Sequence, residues 1–180
     1  MPKIYLLFLL FSSLSFAQDY ESFFTGNAAN IETQPDFGIC LMGGAQEDDN
    51  AMQWFLNRAN GGDVVVIRTS GSDGYNDYFY NQLGISLNSV ETLLINNLAG
   101  ATHPYVLNKV ENAEAIWFAG GNQADYVNYF KDNAFMDLLN NHVNVKQAPI
   151  GGTSAGMASM GVFYLDAIIG SVSSFEALYN

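Results

Sequence analysis

What most restricts the fold of this chain is the way its apolar runs end. "FGICLMGG" (37–44), "EAIWFAGG" (114–121) and "APIGG" (148–152) close on glycine pairs: Gly43-Gly44, Gly120-Gly121 and Gly151-Gly152. Two more short apolar runs, "DVVVIRT" (63–69) and "ETLLINN" (91–97), lie between them. Runs this short and this continuously apolar read as strands buried on both faces. Amphipathic stretches separate them. "EDDNAMQWFLNRAN" (47–60) sets Met52, Phe55, Leu56 and Ala59 at helical spacing, with acids in its first turn. Further helices are expected up to Leu83, over 103–112, and over 123–142 with a break near Asn133. Alternation of this kind predicts βαβ units, hence an α/β fold with a parallel sheet and helices on both faces. Ligands of such sheets bind beyond the carboxyl ends of the strands. Those ends carry the glycine pairs, and glycine lets another group approach the backbone closely. The three ends are expected to line one cleft.

The 180 residues suit one domain, and a hydrophobic share of 49% is enough for its core. Six Lys and Arg stand against eighteen Asp and Glu, for a net charge of -12. That balance excludes a nucleic-acid surface, which needs a basic stripe, and docking on anionic lipid. Residues 1–17 read as a signal peptide: Lys3, an apolar stretch from Ile4 to Phe16, and Ala17 before the cleavage point. The expected product is secreted or periplasmic, with no membrane span after cleavage; an uncleaved anchor is the alternative. Residues 18–36 are polar and read as an irregular arm or linker before a domain over 37–180. Cys40 is the single cysteine, so no intrachain disulfide forms. Its apolar setting reads as a buried strand position rather than a reactive thiol.

"GTSAG" (152–156) fits G-x-S-x-G, a sharp strand-to-helix turn that holds a serine out into a cleft. Gly152 and Gly156 clear the space around Ser154, and the N–H of Ala155 is placed to bind an oxyanion. The alternative is a small residue at a tight structural corner. "FAGGNQADY" (118–126) is a second element. Gly121 can give a second oxyanion N–H, and Asn122 and Gln123 can give amides to a substrate, or Asn122 can simply cap a helix. A serine nucleophile needs a base, normally histidine. His142 is expected at the far end of the sheet from Ser154, and His103 has only its place at a helix start to recommend it. "EDD" (47–49) reads as helix-capping acids or, alternatively, cation ligands. No metal-ligand spacing and no phosphate-binding glycine loop stand out, so no cofactor is expected.

Taken in order, "LMGG", "GGDVVVIRTSGSDGYNDY", "SVETLLI", "AEAIWFAGGNQADY" and "PIGGTSAGM" resemble the cyanophycinase and aspartyl dipeptidase (dipeptidase E-like) family of serine exopeptidases. The likeness covers residues 37–180 and is greatest to its secreted cyanophycinase-like branch. It implies a flavodoxin-like, class I glutamine amidotransferase-like α/β fold. It implies Ser154 as nucleophile, Ala155 and Gly121 as oxyanion donors, Asn122 and Gln123 facing the substrate, Glu176 as a functional acid, and no metal. The implied substrate is a peptide or cyanophycin-like polymer cleaved at β-Asp-Arg or Asp-X bonds; a homodimer is left open. The family's histidine, in an Asp-x-His segment followed by arginines, falls later than the 26 residues that follow Ser154 here. The expectation is a domain lacking its C-terminal part. A catalytically inactive binding module is the alternative. Glutamine amidotransferases place cysteine at the elbow, and α/β-hydrolase esterases share G-x-S-x-G.

Overall fold

A computed structural model describes residues 18–44 and 46–179. The segment read as a signal peptide lies outside them. Six strands form one sheet: β1 (Tyr20–Gly26), β2 (Ile39–Met42), β3 (Asp63–Arg68), β4 (Ser89–Ile95), β5 (Ala115–Phe118) and β6 (Ile150–Thr153). Their order is β1-β4-β3-β5-β6-β2. The five expected strands are all present and mutually parallel; β1 runs antiparallel to β4 at one edge.

The helices are α1 (Asp49–Asn57), α2 (Gly74–Asp77), α3 (Leu98–Ala101), α4 (Pro104–Asn112), α5 (Gln123–Phe130), α6 (Ala134–Asn144), α7 (Ala155–Ala158) and α8 (Ser174–Tyr179). A π-helical turn over Tyr78–Gln82 extends α2. The expected break at Asn133 is real. Asp132 takes φ +57, and the Asn133 side chain accepts the Phe135 N–H at 3.0 Å to start α6 afresh.

The arm over 18–36 departs from its reading as irregular. Tyr20–Gly26 is a full strand, paired from Tyr20↔Ile95 to Gly26↔Ser89. Its pairing is made by backbone, and its outer side faces water, so "YESFFTG" shows no continuous apolar run. Residues 27–36 stay without regular structure but are tied down. The Ile31 N–H donates to Asp63 Oδ2 and the Thr33 hydroxyl to Ala59 O.

Strand alternation splits the core between two faces. Val64, Val66 and Trp117 join Met52, Phe55, Leu56 and Phe79 on the side of α1 and the π-helical turn. Val65, Ile67, Ile116 and Phe118 join Val106, Val110, Phe130 and Phe135 on the side of α4, α5 and α6. Gly151 lets the buried Trp117 ring lie against β6, where a Cβ would come within 2.6 Å of it. The chain leaves β3 toward β4 on one side and leaves β5 toward β6 on the other. The carboxyl ends of β3 and β5 therefore flank the switch point, where this architecture opens a crevice.

Candidate active site

Ser154 stands between β6 and α7 with φ 52 and ψ -121. A side chain in that region is strained by about 1–3 kcal/mol, so surrounding contacts must impose it. They do. The Ser154 N–H donates to Met42 O at 3.3 Å, the Thr153 hydroxyl donates to Gly43 O at 2.8 Å, and Ser154 O accepts the Ala158 N–H at 2.9 Å. The outcome is an exposed hydroxyl between two buried neighbours, Thr153 and Ala155.

The glycine pairs converge here as expected. A Cβ on Gly44 would sit 3.6 Å from Ser154 Oγ, and one on Gly120 would sit 3.4 Å from Ser154 Cβ. One on Gly152 would meet Phe118 O at 2.9 Å, and one on Gly156 would run into the carbonyls of Phe118 and Ala119. These two glycines seat α7 directly on the end of β5. The Ala155 N–H opens α7, whose single turn supplies donors but little macrodipole. Gly121, at φ +159, follows β5 across from it.

Asn122 and Gln123 lie directly after this turn, with other partners. Asn122 caps α5, accepting the Ala124 N–H at 3.1 Å and donating to Asp125 Oδ1 at 3.2 Å. Gln123 Nε2 donates to Leu165 O at 2.6 Å. Glu176 closes a capping box on α8: its carboxylate accepts the Ser173 N–H at 2.8 Å and the Ser173 hydroxyl at 2.7 Å. Those bonds hold its pKa below the usual glutamate value, and its hydrogen bonds go to Ser173 rather than to Ser154.

Among the described residues no imidazole comes near Ser154. His142 is buried on α6, with Nε2 3.0 Å from Pro149 O, just before the amino end of β6. Burial pushes its pKa down to about 4. His103 caps α4, its Nδ1 accepting the Tyr105 N–H at 3.2 Å. Its ring packs on Tyr20 of β1, 4.6 Å between centroids. From β1 to β6 is four strand spacings, on the order of 19 Å.

The "EDD" acids act as caps and tyrosine partners. Asp48 accepts the Ala51 N–H at 3.0 Å, Glu47 accepts from the Tyr75 hydroxyl, and Asp49 accepts from the Tyr78 hydroxyl at 2.7 Å. Both tyrosines line a cleft of about 710 Å³ beside Arg68. Arg68 binds back to Ser70 O at 2.9 Å and Ser72 O at 3.0 Å, which folds the loop after β3 onto the crevice. Thr69 and Ser70 thereby come beside Gly121. In the sequence Thr69 closes the apolar run over 63–69 and Ser70 follows it, and neither stands out by residue type. Their signal was position: they follow the strand that flanks the switch point.

Fold and site together define a serine elbow at the carboxyl end of a mostly parallel α/β sheet. Residues 39–178 match Peptidase family S51, and the chain belongs to that family of cyanophycinase and dipeptidase E-like serine peptidases. Among solved structures it is similar to a peptidase from an acI-B1 Actinobacterium, 14% identical, with a TM-score of 0.55 over 68% of this chain and 56% of that one. The likeness is one of fold, and the chain spans little more than half the length of that structure. No curated protein matches it.

Proposed function

We propose that this chain carries the nucleophile and oxyanion turn of a serine exopeptidase that cleaves aspartyl bonds, releasing β-Asp-Arg dipeptides from a polymer or splitting Asp-X dipeptides. The backbone of Ser154 carries the reading: a strained φ of 52, imposed by three strand ends, holds one hydroxyl out into the cleft. Ser154 Oγ forms a bond to the aspartyl carbonyl carbon while a base takes its proton. The carbonyl electrons move onto oxygen, where the N–H groups of Ala155 and Gly121 meet the charge. Collapse breaks the C–N bond, and the amine leaves with the proton. Water then attacks the acyl ester, the base relays its proton to Ser154 Oγ, and the acid product leaves. The reaction needs a base that the described residues do not bring to Ser154. Gln123 spends one N–H on Leu165 O, which leaves its second N–H and its Oε1 for substrate.

In the full gene product, Ser154→Ala is expected to abolish release of β-Asp-Arg dipeptides from a poly-aspartate polymer bearing arginine side chains, and cleavage of Asp-X dipeptides. Activity retained by that variant would refute the reading. The placement of both histidines favours a second reading, a binding module without turnover. Fluorophosphonate labelling of Ser154 in the full gene product separates the two, because an unassisted serine labels poorly. We also propose export, with a mature N-terminus at Gln18 that mass spectrometry of the secreted protein would register.

A further inference from the structure

Thr69 holds a buried hydroxyl beside that of Tyr126, whose own proton goes to Ala119 O. Its Oγ1 is sealed from solvent and has no hydrogen-bond partner among the described residues. A buried polar group left unpaired costs about 1–3 kcal/mol, and valine would fill the same space without that cost. The turn after β5 also faces the Thr69 hydroxyl. The position a Cβ would take on Gly121 is 3.1 Å from Thr69 Oγ1 and 3.4 Å from Ser70 Oγ.

The chain on either side of that turn is clamped. The Ala119 N–H donates to Ile67 O at 3.0 Å, and Ala119 O accepts from the Tyr126 hydroxyl at 2.6 Å. Asn122 is fixed as the cap of α5. Between these anchors the Gly120-Gly121 peptide is the free joint, since neither residue has a Cβ to resist rotation. Strand order sets the directions. β5 lies between β3 and β6, so the turn has Thr69 on one side and Ser154 on the other. A peptide's N–H and C=O point opposite ways. Aiming the Gly121 N–H at an oxyanion on Ser154 therefore aims Gly120 O toward Thr69.

We propose that Thr69 is a positioning residue for the oxyanion turn: its hydroxyl donates to Gly120 O when the Gly121 N–H faces the reacting oxygen, and so holds the donor in place. This rests on the serine-peptidase reading of Ser154. Its orphaned state in the resting structure is then the cost of a bond made during reaction.

The test uses the full gene product and a fluorophosphonate, whose phosphonyl oxygen occupies the oxyanion position when Ser154 is labelled. Thr69→Val is expected to lower kinact by about tenfold or more, an indirect effect smaller than loss of an oxyanion donor itself. KI is expected to stay near wild type and the melting temperature to hold or rise, and Thr69→Ser is expected to recover most of the rate. A Thr69→Val protein that labels like wild type overturns the inference. So does a loss that appears in KI or in melting temperature instead of kinact, or one that Thr69→Ser leaves unrepaired. Labelling that persists in Ser154→Ala overturns the peptidase reading, and this inference falls with it.

Discussion

Ser154, Gly156 and His142 show how much of this protein is decided one residue at a time. The φ of 52 at Ser154 is affordable only because α7 sits hard against the end of β5, and Gly156 permits that approach. Gly156→Ala would push a methyl into the carbonyls of Phe118 and Ala119. We expect a loss of about 1–3 kcal/mol in denaturant unfolding, with weakened labelling of Ser154. His142 sets an acid limit. Its folded pKa, about 4, lies below the ordinary value of 6.5, so the unfolded chain binds the extra proton. Stability from the neutral imidazole is complete above pH 6.5 and is lost as pH falls toward 4. At about 1.4 kcal/mol per pH unit the loss is roughly 3 kcal/mol. Unfolding midpoints measured at pH 7 and pH 4 should show that loss in the wild type and a shallower one in His142→Gln.

At the scale of elements, helix starts are made by single polar side chains. Asp48, Asn97, His103, Asn122 and Asn133 each accept a backbone N–H from the first turn that follows. This explains why the long amphipathic stretch over 123–142 breaks where it does. Asn133→Ala should cost about 1 kcal/mol and loosen the amino end of α6, detectable as faster amide exchange over its first turn. The same logic separates two roles that sequence alone left open at Asn122. Its side chain caps α5, while its backbone continues the Gly120-Gly121 turn. Glu176 also serves a helix start: as the last residue of a capping box opened by Ser173 it stabilises α8. Glu176→Ala should lower helicity near the C-terminus, and its effect on Ser154 labelling will show whether it also has a catalytic part.

For the whole molecule, the two sheet edges differ. β1 presents Glu21 to solvent, a charge of the kind that discourages edge pairing. β2, "ICLM", carries no charge, and Ile39 and Leu41 are 50% and 59% exposed. Val162, Phe163 and Ile169 are exposed at 90%, 96% and 99%. So much apolar surface drives association in water. Residues 18–180 prepared alone should self-associate in sedimentation, and Leu41→Lys should shift them toward monomer. A monomeric, cooperatively melting sample would contradict this.

The sequence by itself determined the parallel α/β sheet, five of its strands, the helix break at Asn133 and the elbow at Ser154. Each rests on local chemistry: apolar period, a capping side chain, or glycines packed around one serine. Only the tertiary structure decided the rest. β1 is held by backbone pairing with β4, which leaves no apolar pattern to read. Thr69 gains meaning because β3 lies next to β5. His103 is distanced from Ser154 by sheet order, four strands away. Such relations join residues far apart in the chain, and they exist only once the sheet has assembled.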